Sequence, residues 1–370
     1  MQDSSGKITQ HDIALHCGVH QSTVSLALRR DPRVPEETAR RILAVAGEMG
    51  YDVSHNAPAR RLALQRYGRE MLNHVVAILV RPGFVQFRYH ATLFSGVVDA
   101  LTQEGFALVV AYLPHPWQLT KTFPLPSIFS RGDIDAVIVS GPGSLYSDHI
   151  RQTATPFGLA NLPYISMLYQ SPGVSSVVAD DEQGAYLAAC HLLAQGHRRL
   201  VQLCTTTDFA AVPLLAIRYR GICQAFTEAG LDPEQHVSFY IVSPDWLNPN
   251  WTPGAGHEIA PLATFLREHP EITAILGQND ASAIHAWRQL NAAGIRVPED
   301  ISIIGYDDVD PMQDEHGQNI MTSVRLPLYN IGREAARLAI LHGTDHSAPP
   351  ETIVLPTTLT LRASTAPARR

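Results

Sequence analysis

Three polar residues in the second half of the chain are of the types that bind polyhydroxyl ligands. Arg218, Asn279 and Asp307 carry planar groups that form paired hydrogen bonds, and each lies at or just after a predicted strand or helix start. Small-molecule sites combine a few such groups with apolar walls. A structural ion pair between Arg218 and Asp307 is the alternative, and the sequence leaves both open.

A second set of residues, near the N-terminus, suits contact with DNA bases. Gln21, Ser22, Ser25 and Leu26 lie on one face of a predicted helix, whose other face turns Val24 inward. Short polar and apolar side chains of this kind can read base edges in a major groove. Because any small three-helix bundle shows similar periodicity, the pattern alone is also typical of an ordinary helical domain.

Several other kinds of site are disfavoured by the residue patterns. The segment Gly141-Pro142-Gly143-Ser144 lacks the lysine of a phosphate loop, and its proline removes an amide donor. The 17 histidines form no cluster with metal-ligand spacing, and neither a nucleophile elbow nor an acid/base pair is recognisable. We therefore expect no enzymatic activity, no metal and no cofactor.

Length and composition are those of a globular protein with more than one core. At 370 residues and 45% hydrophobic, the chain can bury two or three cores of ordinary size. No apolar run reaches membrane-spanning length and the N-terminus is polar, so we expect neither a membrane anchor nor a signal peptide. The cysteines lack metal spacing and are most simply reduced thiols in a cytoplasm: Cys17, Cys190, Cys204 and Cys223.

The formal net charge of −7 is unevenly distributed. Residues 1–66 contain nine Lys/Arg and seven Asp/Glu, a net charge of +2, so the remainder of the chain carries −9. Phosphate attraction by one such segment is weak, and useful affinity for DNA would need two copies on a dimer.

Local signals define the elements of the N-terminal segment. Thr9 and Asp12 have the spacing of a capping box, which satisfies free amides at a helix start. Gly18 supplies the positive φ that a tight turn needs before the second helix. Pro35, followed by two glutamates, opens a third helix that is predicted to run to about Met49.

From Asn73 onward, apolar runs alternate with amphipathic segments, which is typical of a doubly wound α/β fold. The predicted strands are 75–80, 107–112, 136–139, 164–167, 176–179, 200–204, 238–242, 274–276 and 302–306. Predicted helices include 93–104, 184–195, 220–229 and 281–293. The segments 114–126 and 243–256 are predicted loops.

The chain contains several long gapped sequence motifs, here called gapped phrases, which rarely arise by chance. The N-terminal ones are Ile8-Thr9-x-x-Asp12-Ile13-Ala14-x-x-x-Gly18-Val19-x-x-x-Thr23-Val24-Ser25, Gly50-Tyr51 and Asn56-x-x-Ala59-Arg60-x-Leu62. Later ones are Val177-x-x-Asp180, Arg218-x-x-Gly221, Asn279-Asp280, Gly305-Tyr306-Asp307-Asp308 and Leu361-Arg362-x-Ser364-Thr365. In these phrases the chain resembles the LacI-type (lactose repressor) family of bacterial transcription regulators.

The resemblance implies an α/β effector domain of periplasmic-binding-protein type, with two Rossmann-like subdomains joined by three crossovers, behind an N-terminal all-α helix-turn-helix DNA-binding head. The implied boundaries are 1–54 for the head, 55–70 for a hinge helix and linker, and 71–365 for the effector-binding and dimerisation domain. Within that domain, the N-subdomain covers about 71–187 plus 322–350, and the C-subdomain about 188–321 plus 351–365.

The resemblance also implies which residues contact DNA. In the head they are Thr9, Gln21, Ser22, Thr23, Ser25 and Leu26, and in the hinge Asn56, Ala59, Arg60 and Leu62. Leu62 would enter the minor groove as an apolar wedge that kinks the duplex. Its alternative role is packing on the effector domain.

Effector contacts are implied at the cleft between the subdomains, where strand ends of open α/β sheets bind ligands. The matching positions are Arg218, Asn279, Asp307 and Asp180, with a structural role equally open for Asp180. Trp246 matches a ligand-stacking position of some members, and Trp251 is its rival. We expect the opposite wall of the effector site to come from the loop after the first strand, with Phe84, Arg88 and Tyr89 as candidates.

Two residues depart from the family pattern. His20 stands where the recognition helix usually has a serine cap, so we expect a less stable helix start. Leu26 replaces a common arginine, which loses a guanine contact and favours a thymine methyl group instead.

We therefore expect a cytoplasmic, homodimeric transcription regulator, more a repressor than an activator, that binds an inverted-repeat operator in double-stranded DNA. A small-molecule effector, a carbohydrate first and a nucleobase or other metabolite second, would shift the population of operator-competent dimers. The rival hypothesis is a solute-binding receptor without a DNA role, which has no use for residues 1–62.

Overall fold

The computed structural model of the chain describes residues 8–28, 31, 33–49, 51, 72–80, 87–112, 128, 133–140, 162–209, 212–248 and 261–369. Several predicted site residues lie outside this part of the chain: Asn56, Ala59, Arg60, Leu62, Phe84 and Trp251. The predicted loop 114–126 and hinge 55–70 lie outside it as well.

Three short helices form the head: Gln10–Cys17 (α1), Gln21–Ala27 (α2) and Glu36–Glu48 (α3). The predicted capping box is confirmed, because the Thr9 hydroxyl accepts from the Asp12 amide and the Asp12 carboxylate accepts from the Thr9 amide at 2.8 Å. Gly18 follows α1 with a φ of 62°, which glycine tolerates best. Buried side chains such as Ile13 and Ile42 hold the helices together.

Helix α2, which the resemblance predicts to be the recognition helix, has a side-chain cap although the usual serine is missing. His20 occupies the cap position, and its Nδ1 atom accepts from the Ser22 amide at 3.3 Å. A neutral imidazole has one acceptor nitrogen, so it can satisfy an amide that the helix itself leaves free.

Beyond the head, the described residues form two six-stranded sheets. In chain order the strands are Val75–Val80 (β1), Ala107–Tyr112 (β2), Ala136–Ser140 (β3), Tyr164–Met167 (β4), Ser175–Ala179 (β5), Leu200–Cys204 (β6), Val237–Ile241 (β7), Ala274–Leu276 (β8), Ser302–Asp307 (β9), Thr322–Arg325 (β10), Thr352–Leu355 (β11) and Thr358–Thr360 (β12). The first sheet has the order β11-β5-β4-β3-β1-β2, and the second β12-β10-β9-β8-β6-β7. The pairs are parallel except for β10 with β12.

Helices connect and cover the strands. They are Arg88–Gln103 (α4), Asp181–Ala194 (α5), Pro213–Glu228 (α6), Pro233–His236 (α7), Pro261–Glu268 (α8), Asp280–Ala292 (α9) and Leu328–Thr344 (α10), with a 3-10 helix at Pro244–Leu247. Within the described ranges, no helix is long and apolar enough to cross a membrane.

Two α/β subdomains with three crossovers confirm the predicted fold class. The nine predicted strands are present, because continuous Val/Ile/Leu runs suit strands buried on both faces. The three strands that prediction missed, β10, β11 and β12, are short, and each sits at or beside a sheet edge.

The predicted internal boundaries of the subdomains were wrong in three places. β10 hydrogen-bonds to β9 in the second sheet, whereas β11 pairs with β5 in the first. Helix α5 packs against α6, β10 and β12, so it belongs to the second subdomain from its first residue. Sheet membership depends on which strand supplies the hydrogen-bond partner, and local sequence does not encode that choice.

Helices α4 and α10 approach so closely that their contact requires glycine. A Cβ atom on Gly332 would overlap the Leu93 carbonyl oxygen, and one on Gly96 would overlap the Tyr329 carbonyl oxygen. Both obstacles are backbone atoms, which cannot rotate away.

Gly332→Ala is therefore expected to lower the free energy of unfolding by about 1–3 kcal/mol, because the methyl group forces two packed helices apart. Gly343→Ala is a control in the same helix, since the nearest atom to its added Cβ is the Asp135 Cβ at 3.2 Å. Urea unfolding of both variants measures the difference. Equal losses would contradict a backbone clash at Gly332.

Candidate functional site

Arg218 on α6 is a buried guanidinium between two carboxylates. Its Nε and Nη2 atoms both lie 2.8 Å from Asp181 Oδ1, and its Nη1 atom donates to the Gln278 carbonyl at 2.7 Å. Nη2 lies 3.9 Å from Asp307 Oδ1, too far for a direct hydrogen bond. These residues come from four separate elements or strand ends, so the tertiary fold assembles the site.

Tyr306 completes the setting of Arg218. The guanidinium carbon lies 3.5 Å from the centre of the Tyr306 ring, within reach of a cation–π interaction. The Tyr306 hydroxyl donates to the Asp181 carbonyl at 3.0 Å. Burial lowers the pKa of Arg218, but Asp181, Tyr306 and Asp307 outweigh burial, so the net pKa is raised and the guanidinium stays charged.

Asp307 ends β9 with its side chain facing Arg218. Its φ of 96° is a rarely populated conformation for a residue with a side chain, and such conformations cluster at functional sites. Burial raises the pKa of Asp307, and Arg218 opposes that rise. The predicted pair of Arg218 with Asp307 is thus spatially close, with Asp181 as the tighter partner.

Asp280, the first residue of α9, anchors the turn after Asp307. Its carboxylate accepts from the Ser323 hydroxyl at 2.5 Å, from the Val309 amide at 2.7 Å and from the Asp310 amide at 3.2 Å. Burial raises the pKa of Asp280 to about 7, although these hydrogen bonds oppose it.

This raised pKa predicts a pH-dependent stability. An aspartate titrates near 3.9 in an unfolded chain, so between about pH 4 and 7 the folded state binds the additional proton. The stability contributed by protonated Asp280 is then lost as pH rises, by about 2–3 kcal/mol between pH 5 and 7. Urea unfolding across this range should show that loss in the natural chain relative to Asp280→Asn. Parallel pH profiles would contradict it.

Helix α4 brings two predicted wall residues to the site. Tyr89 is half-buried; burial raises its pKa, and the carboxylates of Asp307 and Asp181 add to the rise. Burial raises the pKa of Asp310 in the second subdomain, and the charge of Arg88 opposes it. Arg88 and Asp307 also line a cavity of about 690 Å³, so the two subdomains face each other here.

Asp180 and Asn279 are both helix caps. The Asp180 side chain accepts from the Gln183 amide at 2.9 Å, and its next neighbour, Asp181, is the residue that pairs with Arg218. Sequence reasoning missed Asp181, although two aspartates before a predicted helix were a visible signal. Asn279 accepts from the Ser282 amide at 2.9 Å and donates to the Leu247 carbonyl at 3.2 Å. Effector contact remains a prediction for both Asp180 and Asn279.

Trp246 lies in a short 3-10 helix, in a segment predicted to be a loop. Its side chain is 7% exposed and belongs to an apolar cluster of the second subdomain with Val242, Leu262 and Trp287. The ring lies 6.1 Å from the ring of His285. Stacking on a ligand remains a prediction, and core packing is the role that its surroundings favour.

In the head, the predicted base-reading residues differ in exposure. Gln21 and Ser22 are exposed, whereas Thr23 and Ser25 are half-buried. Leu26 is half-buried and packs against the apolar cluster of the head. Contact of these residues with DNA stays a prediction, with core packing as the alternative for Leu26.

Two family models match separate parts of the chain. One, described as bacterial regulatory proteins of the lacI family, matches residues 9–54; the other, a periplasmic binding protein-like domain, matches residues 189–365. The chain thus carries the DNA-binding domain of the lacI family at residues 9–54, followed by a periplasmic binding protein-like domain. The resemblance seen in its gapped phrases is thereby confirmed.

Relatives in the lacI family match nearly the whole chain. The HTH-type transcriptional regulator CelR of Thermobifida fusca is 27% identical over 360 residues, covering 95% of this chain and 96% of CelR. The HTH-type transcriptional repressor CytR of Escherichia coli strain K12 is 28% identical over 338 residues, covering 90% of this chain and 89% of CytR. A solved complex of CelR with cellobiose has a TM-score of 0.61 at 25% identity and covers 96% of this chain and 99% of CelR. This chain, with its lacI-family domain and regulator relatives, is a DNA-binding transcription regulator.

Proposed function

We propose that this regulator is a homodimeric repressor whose operator affinity is controlled by a small molecule bound between its two subdomains. The observation that carries the proposal is the buried Arg218 of the second subdomain, which lies between Asp181 and Asp307 and interacts electrostatically with Tyr89 of the first subdomain. Asp307 is the last residue of β9 and Gln278 follows β8, so both lie at the carboxyl ends of parallel strands, which is where open α/β sheets bind ligands.

A sugar is the effector class that these groups favour. A ligand hydroxyl can accept from the Arg218 guanidinium and donate to the Asp307 carboxylate at the same time, and Tyr89 adds a further hydroxyl nearby. The relative CelR was solved with cellobiose, which supports this class. A nucleobase or other small metabolite is the second candidate.

The head suits an inverted repeat rather than a single half-site. A net charge of +2 in residues 1–66 supplies little phosphate attraction, so two heads on one dimer would be needed. With DNA as its partner, we place the protein in the cytoplasm and assign it no catalytic role.

Selection of bound duplexes from a random library by the full-length protein tests the DNA function. We expect enrichment of an inverted repeat, with affinity that falls steeply as salt rises. A solute-binding receptor would show no preference over random duplex, and that result would overturn the proposal.

The effector function is tested separately. A thermal-shift screen of sugars and nucleosides identifies a ligand, whose effect on operator affinity is then measured. Arg218→Gln should abolish the response. Arg220→Gln should retain it, since Arg220 lies on the same helix in an exposed pair with Glu182. An undiminished response in Arg218→Gln would remove the cleft assignment.

A further inference from the structure

We propose that Asp181 is a specificity-determining residue: by occupying the Nε–Nη2 edge of Arg218, it makes the cleft select against anionic ligands such as phosphate esters. This inference rests on the proposed function, because it takes Arg218 to face the effector. It adds the charge class of the ligand and the residue that sets it.

The geometry of Arg218 carries the argument. A free guanidinium binds phosphate or carboxylate through two parallel N–H groups. In this chain the Nε and Nη2 edge is taken by Asp181 Oδ1, at 2.8 Å from both nitrogens, and Nη1 donates to the Gln278 carbonyl. An anion would have to displace a protein acceptor before it could bind in this bidentate manner.

The carboxylate of Asp307 opposes an anion beside Arg218 as well. Asp307 is a second carboxylate beside the guanidinium, with its Oδ1 atom 3.9 Å from Nη2. A neutral ligand hydroxyl can donate to Asp307, whereas a phosphate dianion keeps at most one hydroxyl at pH 8, and its ionised oxygens can only accept and would face a like charge. Two nearby arginines, Arg325 and Arg362, lie within 2.7 Å of Asp308 and so already have a carboxylate partner.

A second arginine pair on the same two helices provides a matched comparison. Glu182, the residue after Asp181, lies 2.8 Å from Arg220 on α6, so both pairs join α5 to α6. The Arg220 and Glu182 side chains are 59% and 41% exposed, against 7% and 8% for Arg218 and Asp181. Removing either carboxylate changes the net charge of the chain equally, but only Asp181 contacts Arg218.

Calorimetric titration of the full-length protein with inorganic phosphate at pH 8 and constant ionic strength tests the proposal. We expect Asp181→Asn to bind phosphate at least tenfold more tightly than the natural chain, a difference of about 1.4 kcal/mol. Glu182→Gln should match the natural chain. Adding Arg218→Gln to Asp181→Asn should abolish the gain in phosphate affinity. Phosphate that binds elsewhere, including at the head, contributes equally in all variants and therefore does not affect the comparison.

No gain in Asp181→Asn, an equal gain in Glu182→Gln, or a gain that survives loss of Arg218 would each overturn the proposal. Should Asp181→Asn fail to fold, Asp307→Asn removes the other carboxylate beside Arg218 and is expected to give the same Arg218-dependent gain. The titration contains no DNA, so its failure is distinguishable from failure of the operator selection.

Discussion

Replacing Arg218 with leucine is expected to lower the free energy of unfolding by about 3–5 kcal/mol at pH 8. The guanidinium lies 2.8 Å from Asp181 and 3.9 Å from Asp307, so its loss leaves two buried carboxylates without their cation. Burial raises the pKa of Asp307, and the charge of Arg218 opposes that rise. In the leucine variant this opposition is absent.

The destabilisation by Arg218→Leu should therefore depend on pH. With the pKa of Asp307 raised further, the folded variant binds more protons than the unfolded chain, so its stability falls as pH rises. We expect the loss to shrink between pH 8 and pH 5, as protonation removes the unpaired charge.

Urea unfolding followed by tryptophan fluorescence measures this effect, because Trp246 and Trp287 are buried in the second subdomain. Arg220→Leu is the control, and loss of its exposed pair should lower the free energy of unfolding by less than about 1 kcal/mol. A pH-independent loss, or one no larger than that of Arg220→Leu, would contradict the role of Arg218 as a counter-charge.

Trp246→Ala is expected to lower the free energy of unfolding by about 3–5 kcal/mol, because it opens a cavity in an apolar cluster. The side chain is 7% exposed and shares that cluster with Leu262 and Trp287. Trp246→Phe should lose less, since a ring still fills most of the space.

Chemical unfolding without ligand and effector titration of the same variants separate two roles for Trp246. If Trp246 packs in the core, its replacement lowers the free energy of unfolding in the absence of ligand. If Trp246 stacks on the effector, its replacement lowers effector affinity and leaves the free energy of unfolding nearly unchanged. A loss of less than about 1 kcal/mol in Trp246→Ala would favour the stacking role implied by the family resemblance.

Local features of the molecule were predictable from the sequence. The capping box of Thr9 with Asp12 and the turn at Gly18 depend on residues a few positions apart, so spacing alone reveals them. The buried strands were equally visible, because continuous apolar runs do not depend on which strand becomes the neighbour. Even the identity of Arg218 and Asp307 as candidate groups followed from residue type and position in the gapped phrases.

The partners of those groups were decided by the tertiary structure. Asp181 meets Arg218 across 37 residues and receives the Tyr306 hydroxyl across 125, and no local pattern encodes either contact. The hydrogen bonds of Asp180 and Asn279 show that both residues cap helices. The apolar neighbours of Trp246 show that its side chain is buried. The sequence by itself thus revealed the family resemblance, the helices of the head and the chemical types of the candidate cleft residues. Folding decided which carboxylate neutralises Arg218, because long-range packing sets burial and partner choice, and these in turn set the charge that a ligand meets.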